Sequence, residues 1–344
     1  MEHRLADRAV HAALSLPDPV FAVMAGRRPT IDGQRLSCRM QVLAKGGRRA
    51  LAGLADPPTA GQLMLFERLQ RSAAVDHLGD AASRDFLVRG GRERRRARLY
   101  EPAGLPEGAG LAVFVHGGGW QIGSIEAYDG VCAFLAKTAR VKVLSLDYRR
   151  SWEARFPAAF DDVLAGFADV MDRAEELGID RGRVAIVGDS SGGNVASSVA
   201  LHVTDPRHRP KLAALIYPSV DHDLRRYESA DLFDAPLNRE IVHRDIRRYA
   251  PRETDHRDPR LAAMAAPDLS AMPPTYIATA GMDLLRDQGE AFGDRLLESG
   301  VEVDVRRFPN LPHGFFGFLV DPEARAATEE IALAIGERLS TSAD

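Results

Sequence analysis

The chain has 344 residues, a length that fits one large α/β domain or two ordinary ones and buries roughly three quarters of its unfolded surface without a disulfide or metal staple. Its 45% hydrophobic and 27% charged residues mark an ordinary globular protein, and a formal charge of −4 argues against nucleic-acid or acidic-membrane partners. Cys38 and Cys132 have no neighbouring cysteine with which to form a zinc-ligand pair, so two free thiols in a reducing compartment are expected.

The opening Met1-Glu2-His3-Arg4-Leu5-Ala6-Asp7 lacks the basic, apolar, small-residue order of a signal peptide. No apolar run approaches the roughly 20 residues that span a bilayer, so a cytoplasmic protein is expected. Residues 1–80 read as helix-rich and punctuated by Pro17, Pro19, Pro29, Pro57 and Pro58. The charged run from Arg92 to Arg98 comes after Gly90-Gly91 and reads as an exposed hairpin strand at a sheet edge, where charge discourages aggregation.

From there β-branched runs alternate with helical spacing. Residues 111–115, 141–146, 184–187, 212–217, 275–279 and 303–308 read as strands too continuously apolar for one solvated face. Residues 128–140, 160–177, 194–202 and 288–297 read as helices. This alternation implies a mostly parallel sheet covered on both sides, with functional loops at the carboxyl ends of the strands. Residues 219–268 interrupt it as a polar insertion in which His222, His243 and His256 are expected to be solvated. Both this insertion and residues 1–80 are open to two readings, surface padding or a lid over the sheet.

The strongest local signal runs from Val184 through Gly188-Asp189-Ser190-Ser191-Gly192-Gly193. An apolar strand enters Gly-x-Ser-x-Gly and leaves as a helix of small residues, which places Ser190 on a sharp turn as a nucleophile. Ser191 would then offer its backbone N–H at the helix start to an oxyanion. A second signal is His116-Gly117-Gly118-Gly119-Trp120, again after a strand. Its glycines let backbone N–H groups converge on a tetrahedral intermediate. The loop lacks the Gly-Lys-Ser/Thr ending of a phosphate loop, so nucleotide binding is not expected, and His116 reads as a ring that shapes the loop. A serine nucleophile needs a base and an orienting acid, in the order Ser, Asp or Glu, His in such a fold. His313 is the histidine that comes after a late strand, and Asp283 comes after the strand at 275–279, with Asp287 as the rival carboxylate one turn on.

Together these motifs resemble the hormone-sensitive-lipase-like carboxylesterases, from about Phe86 to near the C-terminus. Residues 116–120 match the family's His-Gly-Gly-Gly-Trp, residues 188–193 its Gly-Asp-Ser-Ala-Gly-Gly with Ser191 for alanine, and residues 283–289 its Asp-Pro-Leu-x-Asp-Glu-Gly with Leu284 and Gln288 substituted. The resemblance implies an α/β-hydrolase fold with a helical cap, built partly from residues 1–80 and the 219–268 insertion, on a catalytic domain of residues 81–344. It implies Asp283 as the triad acid, with Gly118, Gly119 and Ser191 as oxyanion donors. It further implies a small, short-acyl ester as substrate near Trp120, Phe315 and Phe316, no cofactor or metal, and a homodimer paired through an edge strand near Val303. An amidase or formamidase on the same triad is the alternative, and a non-catalytic small-molecule receptor on this scaffold a remoter one. The chain departs from the family at Arg150-Ser151-Trp152, where Leu-Ala-Pro is usual; the segment reads as scaffold, with an Arg149–Glu153 pair.

Overall fold

The computed structural model describes residues 2–340; Met1 and residues 341–344, the outer ends of the expected segments 1–80 and 81–344, lie outside the described residues. Four helices come first: α1 (Glu2–Leu14), α2 (Asp18–Ala25), α3 (Cys38–Ala52) and α4 (Ala60–Ala73). Their starts reflect capping chemistry. Ser37 accepts from the Met40 N–H at the head of α3, and Thr59 with Gln62 forms a reciprocal capping box at α4.

The alternating part comes next as β1 (Ala82–Val88), β2 (Arg95–Glu101), β3 (Ala109–Val115), α5 (Asp129–Ala139), β4 (Lys142–Leu146), α6 (Ala158–Asp172), β5 (Ile179–Asp189), α7 (Ser191–His202) and β6 (Leu212–Ile216). The insertion carries α8 (Ser229–Leu232) and α9 (Arg239–Tyr249), before β7 (Thr275–Met282), α10 (Arg286–Glu298), β8 (Val303–Pro312) and α11 (Pro322–Ser340). Among the described residues the strands form one sheet of order β1-β2-β4-β3-β5-β6-β7-β8. From β4 to β8 every pairing is parallel; only β2 runs against its neighbours. Strands β3, β6 and β7 are buried along their whole length, which explains why they lack a polar alternation. Parallel pairing also puts the carboxyl ends of β3, β5, β7 and β8 on one rim of the sheet. Among the described residues no helix is long and apolar enough to cross a membrane.

Two expectations are corrected here. The charged run does enter a hairpin strand, but β2 is not the edge: β1 covers it, in the register Asp85 opposite Arg98 and Leu87 opposite Arg96. The arginines are paired rather than simply solvated, Arg95 with Glu93 and Asp147, Arg98 with Asp85 and Asp129. The open edges are therefore β1 and β8. Nor does Arg149 pair with Glu153. Its guanidinium grips Asp162 of α6 through two 2.8 Å bonds, while Glu153 takes Arg150. The planar fork of Arg149 meets both carboxylate oxygens across this turn.

Candidate active site

Strand β5 ends at Asp189 and α7 begins at Ser191, which leaves Ser190 alone on the turn at φ +55° and ψ −121°. A non-glycine residue with positive φ is held only where its surroundings over-determine it. Here Ser190 N–H donates to Ile216 O at 2.9 Å, and Ser190 O accepts from Asn194 N–H at 2.9 Å. The flanking glycines answer a close approach: a Cβ on Gly188 would collide with Gly192 O, and one on Gly192 with Val115 O. Either side chain would push the turn off the sheet.

His313 directly succeeds β8, and its Nε2 lies 2.8 Å from Ser190 Oγ. Its Nδ1 donates to Asp283 Oδ2 at 2.7 Å. Asp283 directly succeeds β7, is 1% exposed, and accepts Leu285 N–H on its other oxygen. Because an ionised carboxylate only accepts, the ring proton sits on Nδ1 and the Nε2 lone pair faces the serine hydroxyl. Asp287, by contrast, is spent on the Ser229 N–H and on Arg286. Tyr217, at the end of β6, holds its ring 4.7 Å from the His313 ring and accepts the Phe316 N–H on its hydroxyl. Nothing in the sequence singled it out.

The glycine loop leaves β3 and lies over the start of α7. Gly118 (φ +121°) and Gly119 (φ +62°) take conformations that L side chains rarely adopt. Their N–H groups donate to no acceptor among the described residues, and the N–H of Ser191, first in α7, has no acceptor in its own helix. Trp120 N–H donates to Ser191 Oγ at 3.2 Å, tying loop to helix. The departure at 150–152 closes the clasp from the other side. Ser151 N–H donates to Trp120 O at 2.7 Å, Trp152 Nε1 to Gln121 O at 2.9 Å, and Arg150 to Gly123 O at 3.3 Å. As expected, the His116 ring shapes this loop, through Nδ1 to Gly117 O at 2.9 Å.

Ser190, Ser191, His313, Gly118, Gly119 and Trp120 open onto one cavity of about 230 Å³. Its floor includes Ser190, His313, Gly118 and Gly119, and its walls come from α3 (Met40, Leu43), α4 (Phe66, Leu69) and α9 (Val242, Asp245). Trp120 lines it; Phe315 and Phe316 do not. They are 0% and 1% exposed, with Phe315 against Phe308 and Phe316 against Phe114 in the core. The expectation that they line the substrate site is therefore corrected. The aromatic residue of that segment on the wall is Phe318, because the turn at Gly317 (φ +87°) redirects the chain.

The insertion also differs from expectation. His222, His243 and His256 are buried or half-buried rather than solvated. His222 is 8% exposed, edge-on to Trp120 and to His256. Burial, with some repulsion from His256, pushes its pKa down to about 4 from 6.5. The fold thus rejects a proton that the unfolded chain accepts, so stability is whole above pH 6.5 and drains away as pH falls towards 4. The loss on this account is about 3 kcal/mol. Thermal melts from pH 7 to 4 should fall more steeply for the wild type than for His222→Phe; parallel curves would refute the assignment. Asp245 shifts in the opposite sense. Burial drives its pKa up to about 6, although Arg244 and Gln121 oppose this.

Comparison with known proteins agrees with this fold. The profile of a family described as having the α/β-hydrolase fold matches residues 112–317. A carboxylic ester hydrolase of Mycobacterium tuberculosis, LipN, is 33% identical over 341 residues, covering 94% of this chain and 89% of its own. An arylesterase of Saccharolobus solfataricus is 33% identical over 256 residues, 73% of this chain and 82% of that protein. Among solved structures, an esterase of Pyrobaculum calidifontis superposes with a TM-score of 0.74 at 32% identity, covering 84% of this chain and 97% of that one.

Proposed function

The chain belongs to the hormone-sensitive-lipase-like family of α/β-hydrolases and is a carboxylic ester hydrolase, and we propose that it cleaves small, short-acyl esters through an acyl-enzyme on Ser190. The observation that carries this reading is the unbroken relay Ser190–His313–Asp283, with bonds of 2.8 and 2.7 Å, beneath three N–H groups that have no acceptor among the described residues. His313 takes the Ser190 proton as the hydroxyl oxygen attacks the ester carbonyl. The N–H groups of Gly118, Gly119 and Ser191 hold the resulting oxyanion. Protonated His313 then gives its proton to the departing alcohol, and water repeats the two steps to release the acid. Asp283 keeps the ring in the productive tautomer and stabilises its charge.

The cap belongs to the same proposal: residues 1–80 and 219–268 close the site over a catalytic domain of residues 81–344. Walls drawn from α3, α4 and α9 support it. The size of the cavity supports a small substrate, since about 230 Å³ lies below the roughly 300–1,000 Å³ usual for drug-sized ligands. Steady-state hydrolysis of p-nitrophenyl acetate, butyrate and octanoate tests the reading. kcat/KM for octanoate should fall at least about tenfold below that for butyrate. An optimum at octanoate would remove the short-chain assignment, and no hydrolysis of any ester by the folded protein would remove the esterase reading itself.

A further inference from the structure

Asp245 takes no part in the relay and supplies no oxyanion donor, yet it stands on the cavity wall. It sits on the buried face of α9 with Ile241, Val242, Ile246 and Tyr249, and is 7% exposed. Its Oδ1 is fully engaged, accepting Gln121 Nε2 at 2.5 Å and the Arg244 guanidinium at 2.8 and 2.9 Å. Its Oδ2 accepts from no group among the described residues, and it reaches so far towards the oxyanion loop that a Cβ on Gly119 would lie 2.6 Å from it. The neighbouring carboxylate on the cavity, Asp189, has no such spare oxygen: Gly117 N–H takes one, and the hydroxyls of Tyr128 and Tyr217 take the other. A free carboxylate oxygen thus lies beside the proposed reaction centre, in a cavity whose other cap-side walls are, Gln70 apart, mainly apolar side chains such as Leu43, Phe66 and Val242.

An unmet acceptor in an apolar cavity discriminates among ligands, because a ligand with a hydrogen-bond donor satisfies it and one without leaves it desolvated. The donor is better neutral than cationic. Arg244 already neutralises Asp245, and Arg248, bonded to Gln121 Oε1 at 2.7 Å, adds a second positive charge nearby. A third cation would meet both. We propose that Asp245 is a specificity-determining residue, and that the site prefers esters bearing a hydroxyl group close to the scissile carbonyl. The inference rests on the esterase reading above and names its substrate class.

Two series of esters test it. One comprises the p-nitrophenyl esters of 3-hydroxy-, 3-methoxy- and 3-methylbutyric acid; the other comprises 2-hydroxyethyl, 2-methoxyethyl and propyl butyrate. In each, a donor is exchanged for an acceptor and for an apolar group. In at least one series the wild type should favour the hydroxyl member over both others by about tenfold in kcat/KM. Asp245→Asn keeps an oxygen for Gln121 and Arg244 but turns towards the cavity an N–H that hydroxyl and methoxy oxygens can both accept, so the hydroxyl-over-methoxy ratio should collapse to near parity. No hydroxyl preference by the wild type in either series overturns the proposal even if the variant does not fold. So does a hydroxyl-over-methoxy preference that survives intact in Asp245→Asn. Failure here stays separable from failure of the esterase reading, since turnover of the alkyl members without hydroxyl preference removes the Asp245 assignment alone. No turnover of any member removes both.

Discussion

Replacing Ser190 by alanine is expected to lower kcat on p-nitrophenyl butyrate by about 10⁶-fold, with KM little changed. The size of the effect reflects where Ser190 sits. It is the one residue between β5 and α7, and its Oγ is the atom within 2.8 Å of His313 Nε2. Ser191, next in the chain, cannot replace it, because its hydroxyl oxygen is turned to the Trp120 N–H. Ser219, also on the cavity, donates its N–H to Ser190 O at 3.3 Å, but its hydroxyl has no hydrogen-bond partner among the described residues, histidine included. The oxyanion donors remain in the variant, so a residue of catalysis roughly 10³–10⁴ above water should persist. The measurement is single-substrate kinetics on protein whose circular dichroism matches the wild type. Retention of more than about a hundredth of wild-type kcat would exclude Ser190 as the nucleophile.

The second large effect separates two carboxylates that the sequence places four residues apart. Asp283→Asn should cut kcat by about 10⁴-fold, because an amide facing His313 Nδ1 favours the wrong tautomer and leaves the imidazolium unstabilised. Asp287→Asn should stay within about tenfold of the wild type, since Asp287 touches Ser229 and Arg286 but not the ring. Its loss loosens the junction of α8 with α10 rather than the relay, and should register in thermal stability. Parallel kinetics and melts on the two variants decide the matter. A larger kinetic loss in Asp287→Asn than in Asp283→Asn would reverse the roles.

These positions were legible because a parallel sheet converts chain order into geometry. Each strand end delivers its next residue to the same rim. The runs at 111–115, 184–187, 275–279 and 303–308 were therefore enough to carry the His116 loop, Ser190, Asp283 and His313 towards one place. The strands extend a few residues beyond those runs, β8 as far as Pro312, and the functional residues still stand at their carboxyl ends. The hairpin strand in the charged run from Arg92 to Arg98 was legible for a similar local reason, the glycines that precede it, but its rank in the sheet was not. Which strand forms the edge depends on a pairing with β4 that spans some forty residues, and charges that read as solvated were matched across the strands instead.

The amino-acid sequence alone determined a mostly parallel sheet covered on both sides and the turn that presents Ser190, since each depends on short-range patterns repeated along the chain, while the α/β-hydrolase fold and Asp283 as the acid came from the family's motifs. Only the tertiary structure decided what encloses them. The walls from α3 and α4, the Trp152 clasp on the oxyanion loop, the burial of His222, the withdrawal of Phe315 and Phe316 into the core and the free oxygen of Asp245 all arise where distant segments meet. A polar insertion and a helical N-terminus carry no periodicity that says which side chain faces a cavity. Their residues acquire that position only by packing against a sheet from which they are far removed in sequence.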